Sequence, residues 1–261
     1  MTASLPTSTV LDTDIDERNV AILTLNRPGA GNALDADLIA SLTDAFRSIA
    51  GIDAVRAVIL TAKGPNFSVG DDARRIAARL SWSAEETAAD KKTMTDLIDA
   101  IRRCPVPVIA AVRGRTNGSA VALLLAADLA VADRGATFSF PDVRYGAVPG
   151  LFADLLAEEI GRSAARALLL TGGAIPAVSA AQLDLVQQVT GTPQNMDDVV
   201  SGWIRQIERA APSALAGTKA MLAPGGDPQQ AFLDSWRSAD AKRGIRAMLE
   251  GREPNWNAAD A

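Results

Sequence analysis

The sequence contains no histidine and only one cysteine among its 261 residues. Without histidine, the chain cannot form a Ser-His-Asp triad, a Cys-His pair, a histidine metal site or a histidine general base. The single cysteine, Cys104, excludes an intramolecular disulfide and a multi-cysteine metal site, so no metal is predicted. Cys104 ends an amphipathic segment and precedes Pro105, which favours a buried structural thiol. Acid–base chemistry must therefore come from Asp, Glu, Lys, Tyr or water.

Aromatic residues are also scarce, at 4% of the chain, whereas apolar residues make up 48%. A chain of 261 residues with a core of Ala, Val, Leu and Ile is typical of one large, helix-rich α/β domain. Lys and Arg number 26 against 31 acidic residues, and the net charge of −5 argues against nucleic-acid or anionic-membrane partners. The N-terminus lacks the pattern of a signal peptide, and the apolar stretch 120–132 is too short to span a bilayer. We therefore predict a cytoplasmic protein with no membrane partner.

Apolar periodicity predicts an alternation of strands and helices over most of the chain. The predicted strands are 19–26, 54–61, 108–112, 129–132 and 137–140, and the predicted helices are 32–49, 83–103 and 120–127. Ser83 and Glu86 have the spacing of a capping box. From Arg162 onward the pattern is almost wholly helical. The alternation predicts an α/β fold with right-handed crossovers, and a polar stretch near residue 190 predicts the boundary of a helical C-terminal region.

Four segments, taken in order, resemble the enoyl-CoA hydratase/isomerase (crotonase) family. They are Leu25 to Leu34 (LNRPGAGNAL), Ala57 to Asp72 (AVILT, then FSVGDD), Pro105 to Ala132 (PVPVIAAV, then ADLAVA) and Phe138 to Gly172 (FSFPD, then LLLTG). Each segment alone is a weak signal, but the ordered set is specific. The resemblance implies a crotonase-like ββα-spiral core that binds acyl-coenzyme A in residues 1–190. It also implies a helical C-terminal trimerisation region in residues 191–261.

The resemblance further implies an acyl-CoA substrate that brings its own coenzyme A, no other cofactor, and a homotrimeric or hexameric assembly. Five residues match positions that contact coenzyme A in the family: Arg27, Ala30, Asn32, Ala33 and Asp72. The neighbouring Arg74 and Arg75 either face the pyrophosphate or are simply solvated. Leu151 and Phe152 either line an apolar acyl pocket or pack in the core.

By resemblance, the backbone N–H groups of Asp71 and Ser119 form an oxyanion hole. Two such donors stabilise an enolate-like transition state, by about 3–4 kcal/mol each in the best-measured comparable case. The Ser119 amide precedes the predicted helix 120–127, where N–H groups lack partners and the helix dipole favours an anion. The family usually has glycine at position 119, and the alternative is that Gly118-Ser119 is only a turn and helix cap. The anionic Asp71 side chain is expected to face solvent, Arg74 or Arg75.

The acidic residues depart from the family pattern. Hydratases of the family use two glutamates, and the matching positions here are Ala122 and Asp142. Each acid–base group contributes about 10²–10⁴-fold in rate, so the loss of one favours an isomerase-like enzyme in which Asp142 alone shuttles a proton. In the alternative interpretation, Asp142 caps a turn or pairs with Arg144. A non-catalytic acyl-CoA-binding protein and a thioester or diketone hydrolase also stay open.

Overall fold

Two β-sheets carry the fold of the computed structural model, which describes residues 5–256. The strands are β1 (Leu11–Ile15), β2 (Val20–Leu25), β3 (Ala57–Ala62), β4 (Val108–Val112), β5 (Arg115–Asn117), β6 (Leu129–Asp133), β7 (Thr137–Ser139), β8 (Ala174–Pro176) and β9 (Gln188–Thr190). The larger sheet has the order β1-β2-β3-β4-β6-β9, with only the β1–β2 pair antiparallel. The smaller sheet has the order β5-β7-β8. Residues 1–4 and 257–261, at the ends of the two predicted regions, lie outside the described residues.

Helices connect the strands and make up most of the C-terminal region. They are α1 (Ala36–Ile49), α2 (Ala73–Ala78), α3 (Ala84–Arg102), α4 (Ser119–Ala126), α5 (Ala153–Thr171), α6 (Ala177–Gln182), α7 (Pro193–Glu208), α8 (Pro212–Leu222), α9 (Pro228–Arg237) and α10 (Ala239–Leu249). The predicted capping box is present at the start of α3, where Ser83 and Glu86 bond reciprocally to each other's backbone N–H. The family-based prediction of the α/β fold class is confirmed. In the described part of the chain, no helix has both the length and the apolar character needed to cross a membrane.

The larger sheet is buried on both faces. Every residue of β4 is buried, as expected for a central parallel strand. One face packs against α1, α3 and α4, and all eight residues of α4 are buried. The other face is covered by α7, whose Met196, Val200 and Ile204 cluster with Ile109 of β4. The helical region that begins after residue 190 therefore completes the core of the sheet rather than standing apart from it. Cys104 is buried, as predicted, and its burial raises the pKa of the thiol.

The structure differs from the sequence interpretation in its shortest elements. The prediction that the chain is almost wholly helical after Arg162 is wrong at β8 and β9, which have three residues each. Strands of this length have too few residues for a period-two pattern to stand out. The helix predicted over 32–49 begins only at Ala36, because Asp35 is its N-cap and accepts a hydrogen bond from the Leu38 amide. The preceding residues, 32–34, lie in a loop.

Candidate active site

Two loops, one following β3 and one following β5, meet in direct backbone contact. Ser68, in the loop after β3, and Thr116, in β5 just before the second loop, form a parallel bridge that aligns the loops. Gly70 has a φ of 93°, and a Cβ atom added there would lie 2.6 Å from the carbonyl oxygen of Asn117. Only glycine tolerates both this backbone angle and this approach. Gly70 therefore lets the loops touch, and the residues that follow them, Asp71 and Ser119, become neighbours.

Both predicted donor amides lack a protein acceptor. Within residues 5–256, neither the Asp71 amide nor the Ser119 amide donates a hydrogen bond, whereas an adjacent amide beside each of them does. Asp72 N–H donates to the Leu34 carbonyl at 3.2 Å, and Gly118 N–H donates to the Ser139 carbonyl at 2.8 Å. Ser119 is the first residue of α4 and is only 4% exposed. A backbone N–H without a partner at such a place is rare unless water or a ligand satisfies it.

A serine fits at position 119 because its neighbour takes the unusual backbone angle. Gly118 is the N-cap of α4 with a φ of 51°, whereas Ser119 itself has no positive φ. The change from the glycine that the family usually has therefore leaves the amide at the helix N-terminus. The serine also adds a contact, since its hydroxyl donates to Oδ1 of Asp71 at 2.7 Å. The two predicted donor residues are thus joined through their side chains.

A cavity of about 350 Å³ opens beside these two residues. Its walls include Asp71, Ser119 and Asp142, the loop 147–152, and Met94 of α3. Phe152 both lines this cavity and packs in the core, where it is 2% exposed and its ring centroid lies 5.5 Å from that of Phe140. Leu151 also lines the cavity. The cavity therefore brings together the two residues with free amides, three acidic side chains and an apolar wall.

Asp142 lies in a 3₁₀ helix, Pro141–Tyr145, and lines this cavity, and one of its carboxylate oxygens is buried. That oxygen, Oδ2, has no hydrogen-bond partner among the described residues. Burial raises the pKa of Asp142 and the negative charge of Asp71 adds to this rise, whereas a hydrogen bond from the residue's own backbone N–H and the charge of Arg79 oppose it. Arg144 does not pair with Asp142, because its Nε donates to the Thr171 carbonyl at 3.4 Å. An unpaired, partly buried carboxyl group with a raised pKa is suited to proton transfer.

The Asp71 side chain is held by two arginines. The expectation that it faces Arg75 is confirmed by an ion pair of 3.1 Å, and Arg79 contacts it at 2.6 Å. The same two arginines also contact Asp90 of α3. The alternative that Arg75 is simply solvated is wrong, because its guanidinium is buried in these ion pairs, and its contact with the pyrophosphate stays a prediction. Arg74, in contrast, is exposed.

Four of the five residues predicted to contact coenzyme A lie in the loop between β2 and α1, and the fifth, Asp72, binds to that loop through Arg27. Arg27 forms ion pairs with Asp35 at 2.9 Å and Asp72 at 3.1 Å, and it also donates to the Ala33 carbonyl. Asn32 is fully buried, and its side-chain amide donates to the carbonyls of Lys63 and Asn66. The ion pairs and hydrogen bonds of these two side chains therefore fix the conformation of the loop.

The coenzyme A role of this loop stays a prediction. Asp72 is the N-cap of α2, and the backbone N–H of Arg74 is the main cause of its lowered pKa. Ala33 is buried, whereas Ala30 is exposed. Contacts with a nucleotide would therefore come from the loop backbone and Ala30 rather than from the engaged side chains of Arg27 and Asn32.

Position 122 supplies no acid. Ala122 is fully buried in α4, one turn after Ser119. The carboxylates on the cavity wall are instead those of Asp71, Asp90 and Asp142. Sequence reasoning did not find Asp90 or Arg79 as parts of the site. The only local signal was the spacing of Asp71, Arg75 and Arg79 at intervals of four residues, which places them on one side of a helical turn.

Comparison with known proteins agrees with this fold. The family model described as enoyl-CoA hydratase/isomerase matches residues 16–259, so the chain belongs to that family. A putative enoyl-CoA hydratase of Thermus thermophilus is 31% identical over 251 residues, or 93% of this chain and 99% of that protein. The 2,3-dehydroadipyl-CoA hydratase of Escherichia coli is 28% identical over 250 residues, or 92% of this chain and 96% of that protein. A solved enoyl-CoA hydratase of Mycobacterium smegmatis has a TM-score of 0.88 and 34% identity, covering 96% of this chain and 100% of that one.

Proposed function

We propose that this chain is an acyl-CoA enzyme of the hydratase/isomerase family that moves a double bond with a single acid, Asp142. The observation that carries the proposal is Asp142, which lines one cavity with Asp71 and Ser119 and whose buried Oδ2 has no hydrogen-bond partner within residues 5–256. The amides of those two residues lack acceptors within residues 5–256. A thioester oxygen bound to both amides would be polarised, which acidifies the adjacent carbon.

The proposed reaction converts a 3-enoyl-CoA into a 2-enoyl-CoA. Ionised Asp142 takes a proton from the α-carbon, and the electrons of that bond move into a dienolate whose oxygen is held by the amides of Asp71 and Ser119. The same carboxyl group then returns the proton to the γ-carbon, so that the double bond moves by one position. No atom or electron is gained or lost overall. Coenzyme A enters as part of the substrate, and no other cofactor takes part.

Hydration is the less favoured reaction for this site. It needs one group that activates water and one that protonates the α-carbon. Position 122 is alanine, and the other cavity carboxylates, Asp71 and Asp90, are each bound to two arginines. Asp142 is thus the one cavity carboxylate within residues 5–256 that is not in an ion pair. The printed names of the relatives nevertheless make hydration the second candidate, so both substrates belong in the assay.

The test compares the wild type with Asp142→Asn on 3-enoyl-CoA and 2-enoyl-CoA substrates. We expect conversion of the 3-enoyl thioester, seen as new absorbance of the conjugated product and verified by mass spectrometry. Asp142→Asn should lower kcat by about 10²–10⁴-fold, because it removes the only proton carrier. Asp154→Asn is the matched control, since Asp154 lies on the nearby helix α5 but not on the cavity wall.

The other interpretations give different results in the same assay. Water added to the 2-enoyl substrate would establish hydration, and release of free coenzyme A would establish hydrolysis. Acyl-CoA binding in calorimetry without any product would indicate a binding protein. Turnover that is equally fast in Asp142→Asn would refute the assignment of Asp142 as the acid.

A further inference from the structure

Two aspartates and two arginines form a closed ring of ion pairs behind the free amide of Asp71. Arg75 contacts Asp71 at 3.1 Å and Asp90 at 2.5 Å. Arg79 contacts the same two carboxylates at 2.6 and 2.8 Å. These four residues, Asp71, Arg75, Arg79 and Asp90, are here called the arginine–aspartate ring. Because the ring joins the Asp71 loop, α2 and α3, it fixes three separate segments relative to one another.

The ring removes an electrostatic conflict at the site. An aspartate at position 71 places a negative charge beside the proposed oxyanion, and like charges disfavour each other strongly where water is excluded. Each carboxylate of the ring faces two guanidinium groups, and the ring contains two charges of each sign. The charge of Asp71 is therefore compensated within the ring. Asp90, although it lies on α3, supplies one of the two negative charges of the ring.

The Ser119 hydroxyl connects the second donor residue to the ring. It donates to Oδ1 of Asp71 at 2.7 Å, the same oxygen that contacts Arg75. A glycine at position 119 would keep the backbone N–H but could not make this bond. The two residues whose amides lack acceptors are thus coupled through one carboxylate, which the arginines in turn hold in place.

We propose that the Ser119 hydroxyl and the Asp90 carboxylate are positioning groups that hold the Asp71 and Ser119 amides in register for one thioester oxygen. This proposal rests on the proposed function of the site, and it adds a role for two side chains that do not touch the reacting atoms. Ser119→Ala breaks the link between the two donor residues while keeping both amides. Asp90→Asn leaves the ring with a net positive charge and a weaker hold on both arginines.

The closing experiment measures carbonyl polarisation without turnover. The probe is butyryl-CoA with ¹³C at the thioester carbon, and isotope-edited infrared spectroscopy follows its carbonyl stretch on binding. The variants are Ser119→Ala and Asp90→Asn. The control is Asp96→Asn, which removes a carboxylate from the same helix as Asp90 but breaks only an exposed pair with Lys92. Calorimetry on each protein gives the affinity for the probe.

We expect the stretch to move to lower frequency on binding to the wild type and Asp96→Asn. The shift should be clearly smaller in Ser119→Ala and Asp90→Asn, although the probe still binds. In turnover, kcat should fall by about tenfold with little change in KM, less than the 10²–10³-fold that follows the loss of a whole donor. Asp90→Glu should recover part of the loss, because it restores the charge.

The pH profile separates positioning from simple loss of stability. The charged groups that share the cavity with Asp142 are Asp71, Arg75, Arg79, Asp90 and Lys91. Replacing Asp90 by asparagine makes this set more positive, which lowers the pKa of Asp142 and moves the acidic limb of kcat/KM to lower pH. A purely structural defect would lower activity without moving this limb.

Three outcomes would overturn the proposal. A full frequency shift in both variants would show that neither side chain is needed to position the amides. The proposal of an oxyanion hole would not be affected by that result. An equal loss in Asp96→Asn would show a general effect of charge on α3. Absence of any shift in the wild type would refute the oxyanion hole and the positioning role together.

Discussion

Replacing Gly70 by alanine should separate the two loops of the candidate site. The added Cβ would lie 2.6 Å from the Asn117 carbonyl oxygen. Ordinary contacts between carbon and carbonyl oxygen begin at about 3.3 Å, so one loop must move by roughly 0.7 Å. The chain would also have to hold a non-glycine residue at a φ of 93°. Overpacking costs about 1–3 kcal/mol and backbone strain about 1–3 kcal/mol, which together destabilise the fold by about 2–6 kcal/mol.

A displacement of this size should also reduce activity, because a shift of about 1 Å at a reacting group can cost roughly 10²-fold in rate. Denaturant unfolding gives the stability, and the enoyl-CoA assay gives kcat. Gly225→Ala separates the two costs, since Gly225 has a φ of 78° but no atom within 4 Å of an added Cβ. Gly217→Ala, in α8 with the same open surroundings, should be neutral or slightly stabilising. If Gly70→Ala lowers the free energy of unfolding no more than Gly225→Ala does and keeps full activity, the two loops are not in close backbone contact at Gly70.

Two further predictions follow from buried groups. The raised pKa of Asp142 means that the folded state favours the protonated form of this residue. The stability that Asp142 gives to the fold is therefore fully present below its pKa in the unfolded chain, and it is lost as the pH rises through its pKa in the folded protein. Asp142→Asn should therefore unfold at higher denaturant concentration than the wild type at neutral pH, and an advantage that persists undiminished at pH 4 would contradict this. Cys104 is buried and the pKa of its thiol is raised by burial, so it should react with a thiol reagent only after denaturant is added.

The sequence predicted the parts of the site that depend on local pattern. The apolar run 120–127 predicted a buried helix, and the structure buries all of α4. The ordered motifs placed Asp71, Ser119 and Asp142 together, and all three line one cavity. These features could be found because a motif fixes both a residue and the turn that carries it.

The parts that the sequence did not predict depend on contacts between distant segments. Asp90 lies on α3, and nothing in the periodicity of that helix indicates that its carboxylate meets Arg75 of α2 and Arg79 at the C-cap of α2. For the same reason, the sequence does not indicate that the side chain of Arg75 turns toward Asp71 and is buried. A charged residue in a loop or short helix has no periodic environment from which its partner can be inferred.

The acidic groups of the cavity differ in whether they are bound in ion pairs. Asp71 and Asp90 each contact two arginines, so loss of either negative charge would leave the buried Arg75 and the half-buried Arg79 with a single carboxylate between them. Asp142 has no arginine partner among the described residues. Protonation of its buried Oδ2 therefore breaks no ion pair or hydrogen bond of that oxygen. Carboxylates in one cavity whose surroundings differ in this way take different roles. The absence of an acid at Ala122 is therefore not balanced by Asp71 or Asp90, which is why we propose a single proton carrier for this site.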